Sequence, residues 1–210
     1  IASMFGALLS SKSLTREDFP GLRLAVSGGE PLPLPIARGF EERFGLRLLE
    51  GYGMTEASPV VSLNTPEAYR LGSVGRPLDG ISVTACDAAG QALAAGEEGE
   101  LTIRGHGVMQ GYLNKPEQTS RAIRDGALFT GDVGRVDADG FVFITGRAKE
   151  MMIVGGENVY PSEIERVLLQ HPSVGEAAVI STRDDLRGEL PVAFVTLMPD
   201  APTCDENALR

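Results

Sequence analysis

The chain has 210 residues, 42% of them hydrophobic and 23% charged, an ordinary globular composition and length enough for one good core or two modest ones. Nineteen Lys and Arg against 29 Asp and Glu leave a net charge of −10, a sign that repels phosphate backbones and excludes non-specific nucleic-acid binding. No apolar run approaches the ~18 residues of a membrane span, and two Cys and two His are too few for a disulfide framework or a thiolate or histidine-rich metal site. The class that remains is soluble, intracellular and acidic. Lysine is scarce: Lys12, Lys115 and Lys149 are the three present.

Ile1-Ala2-Ser3-Met4 carries no basic stretch of a signal peptide and does not read as a native start. Leu22-Arg23-Leu24-Ala25-Val26 has strand character and ends in Ser27-Gly28-Gly29-Glu30-Pro31. A helix is expected from about Pro35 to Phe44, since Ile36, Phe40 and Phe44 fall on one face and Pro35 suits a first turn. After Gly45, Leu46–Leu49 reads as a second strand ending in Gly51-Tyr52-Gly53-Met54-Thr55-Glu56. Strand, helix and strand in succession predict parallel neighbours joined by a right-handed crossover. Both glycine turns then leave the carboxyl ends of their strands, the edge at which open α/β sheets bind ligands.

The turns suit a nucleotide. Gly28, Gly29, Gly51 and Gly53 let backbone approach a planar or phosphorylated group. Tyr52 offers an aromatic face, Thr55 a hydroxyl for phosphate, and Glu56 a hard oxygen ligand for Mg²⁺. The same residues also read as two tight turns, a core tyrosine and a capping Thr-Glu, and spacing alone does not separate the readings. Neither a G-x-G-x-x-G fingerprint nor a P-loop is present to account for the glycines.

From about Gly72 the pattern turns to alternation. Ile81, Val83 and Ala85 alternate with polar neighbours before an Asp87–Gly90 turn, and Leu101 and Ile103 alternate with Thr102 and Arg104. Phe129-Thr130-Gly131-Asp132 is expected between strands, where Asp132 either accepts from a ribose diol or caps a turn. Asp137-Ala138-Asp139-Gly140 reads as a hairpin turn between Val133–Val136 and Phe141–Ile144; the further ligands of an EF-hand are missing. Gly146–Glu150 reads as a linker. Beyond it come Met151–Val154, a glycine loop at Gly155-Gly156, and a helix with Ser162 and Glu165 as a capping box and Ile164, Val167 and Leu168 as its apolar face. Strands at about Val174–Ile180 and Val192–Leu197 follow, and Thr203-x-x-Glu206 opens another capping box four residues before the end, which reads as truncation.

Five segments in order carry a resemblance: Ser27-Gly28-Gly29-Glu30-Pro31-Leu32, Gly51-Tyr52-Gly53-Met54-Thr55-Glu56, Gly111-Tyr112-Leu113-Asn114-Lys115-Pro116-Glu117, Thr130-Gly131-Asp132 and Gly146-Arg147-Ala148-Lys149. They resemble the motifs of the adenylate-forming superfamily of acyl- and aryl-CoA ligases, peptide-synthetase adenylation domains and firefly luciferase. Gly155–Glu165 is most similar to the fatty-acyl-CoA synthetase branch, long- or medium-chain. The match runs from about Leu22 to Leu197.

The resemblance implies a fold class of α/β and α+β: the end of a parallel βαβ sheet in 1–64, a β-rich subdomain in 65–147, and a truncated, mobile small domain in 148–210. It implies that a small-molecule carboxylic acid attacks the α-phosphate of ATP-Mg²⁺, and that coenzyme A then displaces AMP from the acyl-adenylate. Gly28, Gly29 and Glu30 would line the adenine and acyl pocket, with Gly51, Gly53 and Met54 in the same nucleotide-binding edge. Tyr52 would stack on adenine, Thr55 bind phosphate and Glu56 hold Mg²⁺. Asp132 and Arg147 would hold the ribose, Ile144 pack near the base, Lys149 act as hinge, and Gly155 and Gly156 face the thiol tunnel. Met54 also reads as packing, and Gly111-Tyr112 as structural.

Two family features are missing, an upstream Ser/Thr/Gly-rich phosphate loop and a C-terminal lysine; from their absence the 210 residues alone are expected to be inactive. The implied localisation is cytoplasmic, with peripheral membrane association open for a full-length parent; no partner nucleic acid is implied, and oligomeric state is not read. Alternatives from the same sequence are an acyl-carrier-protein synthetase or peptide-synthetase adenylation domain, and a non-catalytic AMP-binding module.

Overall fold

Helix α1 (Ala2–Ser10) begins the chain, an element whose only sequence signal is the spacing of Ala2, Phe5 and Leu9. In the computed structural model residues 1–184 and 188–198 are described, and the chain divides into two compact units, Ile1–Ile144 and Thr145–Arg210. Strand β1 (Ala25–Ser27) is shorter than the apolar run predicts; Ala25 and Ser27 face inward while Leu24 and Val26 are about half exposed. Helix α2 (Leu34–Phe44) forms as expected, with Pro35 in its first turn and Ala37, Phe40 and Phe44 buried. Gly45 ends it in the left-handed region at φ 64°, where its N–H returns to the Glu41 carbonyl. Phe5 meets Phe40 edge-on at 5.2 Å, and Phe40 meets Phe44 at 4.7 Å, so α1, α2 and β1 close one core.

Strand β2 (Leu48–Gly53) pairs with β1 in parallel, Ala25 opposite Leu48 and Ser27 opposite Glu50. It runs three residues into the expected turn, because β3 (Val60–Leu63) folds back on it antiparallel and supplies ladder partners to Gly51, Tyr52 and Gly53. The turn itself is a single 3₁₀ turn at Thr55–Ala57. With β4 (Arg76–Pro77) the sheet order is β1-β2-β3-β4.

Strand β5 (Ile81–Cys86) has the expected bounds and pairs in full with β6 (Gly99–Gly105). Helix α3 (Pro116–Ala122), β7 (Ile123–Arg124), the ten-residue β8 (Ala127–Val136) and β9 (Val142–Arg147) follow; the order is β5-β6-β8-β7, with β9 also on β8. Val61, Val83, Leu101, Ile103, Leu128 and Val142 make the core under this sheet. Two expectations are corrected here. Thr102 is buried, because its hydroxyl bonds the Thr84 carbonyl and so satisfies itself indoors. Phe129–Asp132 lies inside β8 rather than between strands. The Asp137–Gly140 turn forms as expected, and Arg70 grips it through Asp137 and Asp139 while lying over Phe141.

In the second unit β10 (Met152–Val154) and β11 (Glu157–Val159) form a hairpin, followed by α4 (Pro161–Leu168), β12 (Val174–Asp184) and β13 (Gly188–Leu197), in the order β11-β10-β13-β12. Met152, Leu168 and Val179 are its buried centre. The capping box expected at Ser162 and Glu165 does not form. Tyr160 takes the cap position and Pro161 the first helical one, so Ser162 sits two residues too far in; its hydroxyl bonds the Thr145 carbonyl, and Glu165 accepts instead from the Val179 amide at 2.8 Å. Val167, expected on the apolar face, is 65% exposed. Thr203, Glu206 and Cys204 lie outside the described residues.

Candidate functional site

The two glycine turns meet. A Cβ on Gly28 would stand 3.1 Å from the Gly51 carbonyl oxygen, so the ends of β1 and β2 lie against one another as the parallel pairing requires. Gly29, at φ 85°, turns the chain away, and Glu30 accepts from the Ser3 amide at 2.9 Å. Gly51 and Gly53 have a local cause as well. A Cβ on Gly51 would fall 2.8 Å from the Leu63 side chain, and one on Gly53 2.0 Å from the Pro59 carbonyl oxygen. Close packing of β3 therefore suffices to require both.

Tyr52 is partly buried against the core, as is Met54, and its hydroxyl donates to Asp132 Oδ2 at 2.5 Å. Asp132 is buried, at 4% exposure. It reaches that place through a bulge: between the pairs Glu100–Val133 and Thr102–Phe129, one residue of β6 faces three of β8. Gly131 takes φ 71° within it. The bulge is stitched by the Thr130 hydroxyl, which donates to the Leu101 carbonyl at 2.8 Å and accepts the Asp132 amide at 3.0 Å, while Gly131 N–H donates to Glu100 at 3.1 Å. The Thr-Gly-Asp motif is thus a device for swinging an Asp carboxylate out of ladder register and across to β2.

Thr55 is exposed on its turn and Glu56 is half-buried beside it. Glu56 Oε1 accepts from the Tyr112 hydroxyl at 2.7 Å, and its backbone carbonyl accepts from the Met109 amide at 2.8 Å. The bond to Glu56, with some desolvation, holds the Tyr112 phenol above its usual range. Below the site, burial pushes the Glu50 carboxyl up to about 7 against a hydrogen bond from the Leu32 amide. Among the described residues no group of three or more His, Cys, Asp and Glu could hold a metal alone. One carboxylate, Glu56, beside one exposed hydroxyl, Thr55, is still a donor set compatible with Mg²⁺, which keeps most of its waters and shares phosphate oxygens when a nucleotide carries it.

Gly28, Gly29, Glu30, Gly51, Tyr52, Gly53, Met54, Thr55, Glu56, Asp132 and Ile144 all belong to the first unit, and Ile144 packs beside its core. Arg147 ends β9 in the second unit, Lys149 lies in the 3₁₀ turn Ala148–Glu150, and Gly155 and Gly156 form the β10–β11 turn at φ 61° and 94°. The contacts of Tyr112, Glu50 and Glu100 escaped the sequence reading. Each joins segments far apart in the chain, and no periodicity records such a meeting.

The model of a family described as AMP-binding enzyme matches residues 1–113, and that of the AMP-binding enzyme C-terminal domain matches 163–210. Between them lie Asp132, Arg147 and Lys149. A long-chain-fatty-acid–CoA ligase of Yersinia pestis is 42% identical over 210 residues, all of this chain and 37% of its own length. A 2-succinylbenzoate–CoA ligase of Geobacillus kaustophilus is 41% identical over 190 residues, 90% of this chain and 38% of its own. The crystal structure of ATP-bound MatB from Rhodopseudomonas palustris matches with a TM-score of 0.93 and 37% identity, over 99% of this chain and 42% of that one. The chain thus spans a little over a third of the length of the curated relatives it matches.

Proposed function

This chain belongs to the AMP-binding enzyme family, and from that premise we propose that it forms part of an AMP-forming acid–thiol ligase. In that reaction a carboxylate oxygen bonds to the α-phosphorus of ATP, pyrophosphate leaves, and the acyl-adenylate keeps the AMP. The sulfur of coenzyme A then bonds to the acyl carbon and AMP leaves with the electron pair. The acid is proposed to be a fatty acid, supported by the Yersinia pestis relative. Because the bond-making needs positioning and charge neutralisation rather than a covalent enzyme group, the roles proposed for this chain are those of holders.

The observation that carries this reading is the Tyr52–Asp132 pair beside the Thr55-Glu56 turn. Tyr52 lends a ring face to adenine and fixes Asp132, whose carboxylate suits a ribose diol. Thr55 and Glu56, following directly in the chain, come next in line for phosphate and for the Mg²⁺ it carries, which would supply charge neutralisation. Gly28, Gly29 and Glu30 line the adjoining turn. In the second unit Arg147 is proposed as a second ribose ligand, Lys149 as the hinge residue absorbing a dihedral change, and Gly155-Gly156 as the loop that meets the thiol. The proposed functional division at residue 148 lies close to the boundary of the compact units. Among the described residues no helix is long and apolar enough to cross a membrane.

The test is ATP–pyrophosphate exchange by the full-length protein against fatty, aryl and amino acids. A peak on a fatty acid, with CoA-dependent release of AMP, supports the proposal. A peak on an aryl or amino acid moves the substrate class, and no exchange with any acid overturns the ligase reading in favour of a nucleotide-binding module.

A further inference from the structure

The stretch from Gly107 to Tyr112 plays no part in the nucleotide roles above, yet it closes over the turn that carries Thr55 and Glu56. Gly107 lies so near that a Cβ there would stand 2.8 Å from the Ala57 carbonyl oxygen. Met109 N–H donates to the Glu56 carbonyl at 2.8 Å, and the Tyr112 hydroxyl donates to Glu56 Oε1 at 2.7 Å. Tyr112 is itself anchored: its amide donates to Thr119 Oγ1 at 2.9 Å, and that hydroxyl donates to the carbonyl of Lys115, the N-cap of α3, at 3.0 Å. Gly111, at φ 152°, is pressed on the same threonine, where a Cβ would come within 2.7 Å of its methyl.

The two bonds to Glu56 do different work. The Met109 bond holds backbone and leaves the side chain its rotatable torsions. The Tyr112 bond holds the carboxylate. A neutral phenol donating to a carboxylate makes a charge-assisted bond without cancelling the negative charge, as an Arg or Lys there would. It takes Oε1, and a carboxylate has lone pairs to spare on its second oxygen. This is the pattern by which an outer hydrogen bond orients an oxygen ligand while leaving it anionic.

We propose that Tyr112 is a positioning residue that aims the Glu56 carboxylate at the divalent cation of the bound nucleotide, with Gly107 and Met109 fixing the turn beneath it. The inference rests on the reading of Glu56 as the cation-holding residue. In the full-length protein, Tyr112→Phe, Glu56→Gln and the double variant are compared for calorimetric binding of Mn²⁺–ATP and of metal-free AMP, with thermal midpoints recorded. Tyr112→Phe weakens Mn²⁺–ATP binding about ten-fold, leaves metal-free AMP affinity and the midpoint unchanged, and adds nothing in the Glu56→Gln background. Equal weakening of both nucleotides, or a loss that persists in the Glu56→Gln background, overturns the positioning role. So does a Glu56→Gln loss that Tyr112→Phe does not share. If Glu56→Gln itself leaves Mn²⁺–ATP binding intact, the reading of Glu56 falls and this inference with it.

Discussion

Tyr52 and Asp132 are 80 residues apart in the chain, and the hydroxyl of the first donates to the carboxylate of the second. The tyrosine is therefore more than a ring face at the end of β2; it is the strut of a buried acid delivered from another sheet. If Asp132 holds the ribose diol, Tyr52→Phe keeps the ring and loosens the acid. Expected is a loss of AMP affinity of about ten-fold, the scale of one hydrogen bond to a charged group. The loss should vanish with 2′,3′-dideoxy-AMP. Equal losses for both nucleotides would show that the hydroxyl serves folding rather than ribose recognition.

Glu50 carries a pH dependence whose sign follows from its burial. Its carboxyl is pushed up from an ordinary 4.5 to about 7. Between those values the folded protein keeps a proton that the unfolded chain has released, so stability falls as pH rises through that window and stays lowered above it. The full cost above neutral pH is about 3 kcal/mol. Glu50→Gln, which keeps an acceptor for the Leu32 amide, should raise the unfolding free energy by up to that amount at pH 8 and leave it unchanged at pH 4. Denaturant titrations at the two pH values decide; equal shifts at both would remove the titration account.

Gly131 tests the bulge. Its φ of 71° lies where a Cβ is strained, yet open space surrounds the Cβ position. Gly131→Ala should therefore cost only about 1 kcal/mol in thermal unfolding, while nucleotide affinity falls further than that as Asp132 is turned from Tyr52. A variant with parent affinity would mean that the bulge tolerates realignment.

Arg43 ties the end of α1 to α2 by hydrogen bonds from its guanidinium to the carbonyls of Leu9, Ser11 and Leu14. Leu9 and Ser11 stand at the end of α1, where carbonyls lack a helical partner, and Leu14 lies in the loop that follows. Arg43→Met should expose them at a cost of about 2 kcal/mol, read as faster amide exchange across α1. Arg43→Lys should recover part of it at most, since an ammonium has no planar fork. Unchanged exchange in the Met variant would mean that the apolar face of α1, Ala2, Phe5, Leu8 and Leu9, suffices to hold it.

Sequence alone went far wherever the information is local. Ile36, Phe40 and Phe44 placed α2, strict alternation placed β5, Asp-x-Asp-Gly placed the β8–β9 turn, and five ordered motifs pointed to the family. It failed where a distant segment competes for the same atoms. β3 drew Gly51–Gly53 into a strand, Pro161 and Thr145 took Ser162 out of its cap, and a three-against-one bulge put Asp132 inside β8. The carboxylate that meets Tyr52 and the phenol that meets Glu56 were both visible as residues. Their pairing was not, because a hydrogen bond across 80 or 56 positions leaves no period in the chain; only the packing of sheets brings its ends together.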